Sequence, residues 1–196
     1  MAFETGTCDN YKDLLDKLRI FVTTNPELVA AEQDWEVLRW NTPSSGEWEL
    51  ILKGPGLSGD DEIFVGLRTK TNVGSSQYMV YCEGYTGFNS GDGFYVQPGY
   101  ITEANCPRML LINNSMLYWF FVTGRRIIIV VLAGTVYHSA YLGLTIPYAP
   151  TGLSITYPMY IGASTCIDGG YGDANACIWS FWDNIVTGKQ IGRAHV

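Results

Sequence analysis

The sequence predicts a mainly β protein: an antiparallel β-sandwich of jelly-roll or lectin-like form behind a short N-terminal α-helical lead. Three observations predict it. Aromatic residues make up 14% of the 196 residues, charged residues only 16%, and 22 glycines are available for turns, a profile of many short strands rather than of a coiled coil or a disordered chain. From Trp35 onward, apolar runs of strand length alternate with breaks rich in Gly, Pro, Asn and Ser. A helical period is confined to the stretch before them.

In chain order, residues 1–8 read as a short polar lead. Tyr11, Leu14, Leu15, Leu18, Phe21 and Val22 then fall on one face at helical spacing, with Asp9 or Asn10 as the cap. Asn25-Pro26-Glu27 predicts a second cap with proline at the first helical position, and so a short helix over Pro26 to Glu32. This lead, residues 1–34, is expected to pack on its own sheet or on a neighbouring subunit. The β-sandwich domain is expected over 35–190. Its first strands are Trp35–Trp40, Glu47–Lys53, Glu62–Thr71 and Gln77–Tyr85, followed by an irregular stretch from Thr86 to Pro107 and a strand from Met109.

Met116–Val122 and Ile127–Leu132 form the hairpin around which the chain is organised. Gly124 is expected to supply the positive φ of its turn, while Arg125 and Arg126 keep the tip in water. Both arms are apolar at nearly every position, which predicts cover on both faces and a place at the centre of the core. A transmembrane helix would need about 20 uninterrupted apolar residues, and Gly124-Arg125-Arg126 breaks the run, so no membrane span is expected. Thr135–Gly143, Tyr160–Ala163 and Ile178–Trp182 supply the remaining strands. The closing hexapeptide Ile191–Val196 matches the translation of a common sequencing adapter ahead of a stop codon. It is expected to be an artefact, with the native chain continuing past residue 190.

A net charge of −7 speaks against a nucleic-acid-binding surface, which needs clustered Lys and Arg. The five cysteines, Cys8, Cys82, Cys106, Cys166 and Cys177, show no zinc spacing. Cys166 and Cys177 flank a Gly-rich loop and could pair in an oxidising compartment, although idle thiols are the simpler reading. Met1-Ala2-Phe3-Glu4 does not open a secretory signal. No nucleophile-elbow, zinc-protease, phosphate-loop or dinucleotide motif is present, and neither a cofactor nor a metal is expected. His138, inside a strand pattern, reads as a packed side chain rather than a base.

The best ligand candidates are Asp168, Tyr171 and Asp173, two carboxylates and an aromatic ring on a Gly-rich loop of the kind that grips polar ligands. A plain surface loop is the competing reading. Asp60-Asp61-Glu62 and Asn89-Ser90-Gly91-Asp92-Gly93 give weaker signals of the same type.

Several blocks carry a resemblance. Thr5-Gly6-Thr7 with Asp13-Leu14-Leu15-Asp16-Lys17-Leu18 is similar to the TGT…DLLDKL opening of a family of tailed-bacteriophage virion proteins. Gly54-Pro55-Gly56-Leu57 with Asp61-Glu62-Ile63 also resembles that family. So do Tyr118-Trp119-Phe120, Gly124-Arg125-Arg126 and the run Thr135-Val136-Tyr137 to Ala140-Tyr141-Leu142-Gly143. The blocks keep the family's order over most of residues 3–163. The resemblance implies a non-enzymatic structural component of the virion, made in the bacterial host cytoplasm, in the tail or its adsorption apparatus. It implies other virion and tail proteins as partners and transfers no catalytic residue. A homo-oligomer is expected on symmetry grounds, with a host-surface glycan as a further candidate partner. A carbohydrate-binding β-sandwich module is the alternative, and a virion glycan-degrading enzyme a more distant one.

Overall fold

The structure, a computed structural model, describes residues 1–56, 62–72, 77–100, 106–145 and 159–164. Two helices, α1 (Tyr11–Thr24) and α2 (Pro26–Ala30), follow the first strand, β1 (Ala2–Cys8). Then come β2 (Glu36–Asn41), β3 (Glu49–Gly54), β4 (Ile63–Asn72), β5 (Gln77–Tyr85) and β6 (Arg108–Leu111). The last four strands among the described residues are β7 (Met116–Thr123), β8 (Arg126–Ala133), β9 (Val136–Leu144) and β10 (Met159–Ala163). They make two five-stranded antiparallel sheets, one ordered β1-β7-β8-β9-β10 and the other β2-β3-β4-β5-β6. The two inner faces share one apolar core, in which Leu50, Leu52, Val65, Leu67, Val80 and Cys82 belong to the second sheet and Phe120, Ile127, Ile129, Val131 and Leu142 to the first. This is the predicted mainly β, two-sheet architecture. The predicted strand Ile178–Trp182 lies outside the described residues, as do Ile191–Val196.

Residues 1–8 are a strand rather than a polar lead. Ala2 and Cys8 are buried while Phe3, Thr5 and Thr7 are exposed, and Ala2–Cys8 pairs with Val122–Met116 across more than a hundred residues. Such pairing leaves no local signal, since a two-faced edge strand with Thr and Gly at alternate positions is easily read as loop. The helix forms as predicted. The Asn10 side chain accepts from the Lys12 and Asp13 N–H groups at 2.9 and 3.0 Å, and Asp13 reaches back to the Asp9 N–H at 2.8 Å, satisfying orphan donors of the first turn. Its predicted apolar face, Tyr11 to Val22, is the buried one, and it joins the core shared by both sheets. Phe21 packs on Phe120 of β7 with ring centroids 5.8 Å apart, and Tyr11 on Tyr78 of β5 at 5.1 Å. The helix thus touches both sheets at once. Asn25 ends α1 and caps α2, which stops at Ala30 ahead of Glu32 at φ 54°. No described helix is long and apolar enough to cross a membrane.

At the β7–β8 turn the sequence expectation needs correcting. Gly124 does not take positive φ; among neighbouring turns it is Gly134, between β8 and β9, that does so, at 62°. Gly124 is required by proximity instead, because a Cβ there would collide with the backbone carbonyl of Gly56. The turn is clamped through its carbonyls. Thr123 O accepts from the Trp35 indole at 3.0 Å, Gly124 O from Gly56 N–H at 2.8 Å, and Arg125 O from Leu144 N–H at 2.9 Å.

The second correction concerns cover. Burial in β7 and β8 alternates strictly, with every inward residue buried and every outward one half-buried or exposed. The hairpin is therefore central to its sheet but closed on one face only among the described residues. Outward on β8 stand Ile128, Val130 and Leu132, and on β7 Leu117, Trp119 and Phe121. Phe3 packs on Phe121 at 5.0 Å, Trp119 on Tyr137 at 6.0 Å and Tyr141 on Tyr160 at 5.7 Å, so one aromatic and aliphatic surface runs across the whole sheet.

Gly124→Ala separates the two explanations of that glycine by sign. A residue needed only for flexibility would be improved by alanine, by about 0.4–1 kcal/mol at an ordinary φ. The Gly56 carbonyl predicts a loss instead, of about 1–3 kcal/mol, read from urea unfolding. A stabilised variant would refute the clamp.

Candidate functional site

The outer face of the second sheet carries what the sequence did not advertise. Strand alternation places Arg68 of β4, Tyr81 and Glu83 of β5, and Arg108 of β6 on one face, pointing away from the shared core. All four side chains are buried, at 0% exposure for Arg68, Tyr81 and Glu83 and 2% for Arg108. Their cover is the irregular segment between β5 and β6. Phe94 in its short 3-10 turn (Phe94–Val96) packs on Tyr85 and Ile51, with Phe88 and Tyr100 alongside. Gln97 holds that segment's fold, accepting from Asn89 N–H at 2.9 Å and donating to the Asn89 and Asp92 carbonyls at 2.9 and 3.0 Å.

Charge burial on this scale is costly unless each ion is matched. Arg68 donates to Glu47 Oε2 at 2.6 Å, and the Tyr95 hydroxyl donates to the same oxygen at 2.6 Å. The Arg68 guanidinium lies 4.7 Å from the Tyr81 ring centre and 4.6 Å from that of Tyr95, favourable cation–π geometry in a dry setting. Arg108 lies 4.4 Å from the Tyr81 ring centre, donates to the Tyr81 hydroxyl at 2.8 Å and to the Cys106 carbonyl at 3.1 Å.

Glu83 is the exception. Neither carboxylate oxygen has a hydrogen-bond partner among the described residues; the neighbouring Cys106 thiol is directed at the Cys82 and Pro107 carbonyls, at 3.2 and 3.4 Å. Burial pushes the Glu83 carboxyl up to about 7, against the opposing pull of Cys106, Arg68 and Arg108. Burial also pushes the Cys106 thiol well up, so it stays protonated and unreactive as a nucleophile. A carboxyl poised near neutrality is what acid–base chemistry uses, but such a group must reach a substrate, and this one is sealed. The chemistry open to it is to hold or release one proton beneath the covering segment.

At the rim of the cluster the picture changes. Tyr95 is 41% exposed, its ring packs on Tyr100 at 5.9 Å, and Glu47 is partly open. Two aromatic rings and a carboxylate therefore meet solvent together.

The sequence candidates fare as follows. Asp168, Tyr171 and Asp173 lie outside the described residues, as do Asp60, Asp61, Cys166 and Cys177. Glu62 forms an ion pair with Lys53 at 2.8 Å. Asp92 accepts from the Asn89 side chain at 2.9 Å, and so that loop spends its carboxylate on itself. His138 is 1% exposed on β9, with neither ring nitrogen hydrogen-bonded among the described residues, and burial lowers its pKa. It is a packed, neutral side chain. Sequence reasoning missed Arg68, Glu83 and Arg108. The available signal was a lone charge at a period-two position of an otherwise apolar strand, as in Leu67-Arg68-Thr69 and Cys82-Glu83-Gly84.

No protein-family model matches the chain, and no curated protein does so either.

Glu83 makes stability depend on pH with a definite sign. Its folded value lies above the ordinary carboxylate value of 4.5, so between pH 4.5 and about 7 the folded chain binds more protons than the unfolded one. Its contribution is thus greatest below the unfolded value and is lost as pH rises through the folded one, by on the order of 3 kcal/mol in all. Glu83→Gln should remove that fall and be the more stable form at pH 8. Urea titrations of both proteins across pH 4.5–8 would expose the assignment as wrong if the two slopes coincide.

Proposed function

We propose that this chain is a non-enzymatic structural component of a tailed-bacteriophage particle, at the tail or its adsorption apparatus, acting by assembly with other virion proteins. One observation carries the reading: every strand of the first sheet, from β1 to β10, presents an aromatic or aliphatic side chain outward, with Thr5, Thr7, Thr123, Arg126 and Ser139 the polar positions among them. Exposed apolar surface of that extent marks contact with another macromolecule. Assembly is the use to which a rigid sandwich with such a face is suited. The sealed Glu83 cluster agrees with a structural role, because its perturbed group has no route to a substrate. The ordered blocks that resemble virion proteins supply the setting, and the virion is the proposed location. As an assembly component the chain would work as a homo-oligomer.

A second reading has its own observation. Tyr95, Tyr100 and Glu47 offer aromatic faces and a carboxylate to solvent, the chemistry with which carbohydrate-binding modules hold sugars. On that reading a host-surface glycan is the partner. A jelly-roll or lectin-like relationship would rest on the sandwich architecture alone, since β2 to β6 form a plain meander and a jelly roll needs Greek-key crossovers. Asp168, Tyr171 and Asp173 remain the sequence-based addition to such a site.

Mass spectrometry of density-banded virus particles, targeting the tryptic peptide Gly54–Arg68 (GPGLSGDDEIFVGLR), tests the first reading. Recovery in proportion to known virion proteins is expected. Presence in the lysate together with absence from particles would refute it in favour of the glycan-binding module.

A further inference from the structure

We infer that the outer face of the first sheet is a self-association surface, and that a second copy of this chain is its occupant. The inference deepens the assembly role proposed above and rests on it in treating this face as a contact surface.

The sequence of β8 and its environment disagree. Arg126-Ile127-Ile128-Ile129-Val130-Val131-Leu132-Ala133 is written as a strand buried on both sides, yet only Ile127, Ile129, Val131 and Ala133 are buried. The other side has the composition of an interior but is not buried: Ile128, Val130 and Leu132 are half-buried, and on the neighbouring strands Leu117 is 45%, Phe3 50% and Tyr137 63% exposed.

Charge selects the kind of partner. The chain carries a net charge of −7, yet among the described outward positions of this sheet the single charged residue is Arg126, beside the turn. A basic partner would call for carboxylates here, and none faces outward. Two equally acidic copies repel except where their surfaces are neutral, and this is the neutral surface.

The pattern across the sheet is also self-complementary. An aliphatic row on β8, centred on Val130, lies between aromatic-bearing rows on β7 and β9. A two-fold axis along β8 lays β8 of one copy on β8 of the other. It sets the Trp119 and Phe121 row of β7 against the Tyr137 and Tyr141 row of β9, twice over, as an isologous contact requires. Aligned sheet packing of this kind is the ordinary way two β faces cover one another. Five strands about 4.8 Å apart and about seven residues long give a footprint of roughly 550 Å² per copy, so roughly 1,100 Å² for the pair. A specific interface needs about 1,000 Å² in total, so the face is large enough, with little to spare.

Sedimentation velocity of the full chain, from about 1 to about 100 µM, provides the test, with Val130→Glu and Tyr137→Glu measured in parallel. A dimer with a micromolar dissociation constant is expected, weakened at least about tenfold by either substitution. Tyr137 is mostly exposed, so its variant should keep the wild-type circular dichroism and melting temperature even if Val130→Glu does not. A monomer at about 100 µM would overturn the inference and leave the face to a different partner. Self-association undiminished in a folded Tyr137→Glu protein would overturn it too. The two proposals fail separately: a dimer missing from particles removes the virion role alone, and a monomer present in particles removes the self-contact alone.

Discussion

Three consecutive carbonyls at the β7–β8 turn join three separate parts of this molecule. Thr123, Gly124 and Arg125 receive hydrogen bonds from Trp35, Gly56 and Leu144 respectively. Those donors follow the helices, close β3 and end β9, so one turn ties the helical segment and both sheets together. Trp35, 1% exposed, fills the space beneath the turn as it donates. An unpaired carbonyl in this setting would cost about 1–3 kcal/mol, and loss of the clamp would also uncover the indole. The arrangement explains the glycine at 124, where a Cβ would strike the Gly56 carbonyl, while Gly56 itself sits at φ 76°, a conformation that favours glycine.

With the sheets fixed in this way, α1 closes one side of the sandwich, its single apolar stripe meeting Phe120 of one sheet and Tyr78 of the other. The two outer faces then diverge. Part of the second sheet is covered by the segment between β5 and β6, beneath which Arg68 is held by the Tyr81 and Tyr95 rings and an ion pair to Glu47, and Arg108 by the Tyr81 ring. Replacing such a network by apolar residues is often neutral or stabilising. Its value is therefore better sought in register, because Arg68 and Arg108 meet on the one Tyr81 ring and fix where the covering segment returns to β6.

The first sheet has no such cover among the described residues, and this asymmetry is the basis of the functional reading. A wet, charged outer face would have suited a free-standing module. An apolar face of five strands suits a part that is finished by a neighbour. The rim of Tyr95, Tyr100 and Glu47 lies on the opposite sheet, so contact with a sugar and assembly with protein would not compete for the same surface.

Much of the architecture was legible in the sequence by itself. Helical spacing of Tyr11 to Val22, the Asn10 and Asn25 caps and the apolar strand runs are local signals, and each of those within the described residues produced its element. What only the tertiary structure decided was everything that depends on a distant partner. β1 exists because β7 offers it an edge more than a hundred residues away. Gly124 is glycine because of Gly56, not because of its own φ. The charged cluster arises because β4, β5 and β6 bring Arg68, Glu83 and Arg108 onto one face, although each residue alone looks like an ordinary strand charge. Alternation along a strand reveals that it has two faces. Whether the second face meets a covering segment or solvent is set by chain packing, and local sequence encodes the need for cover without naming what provides it.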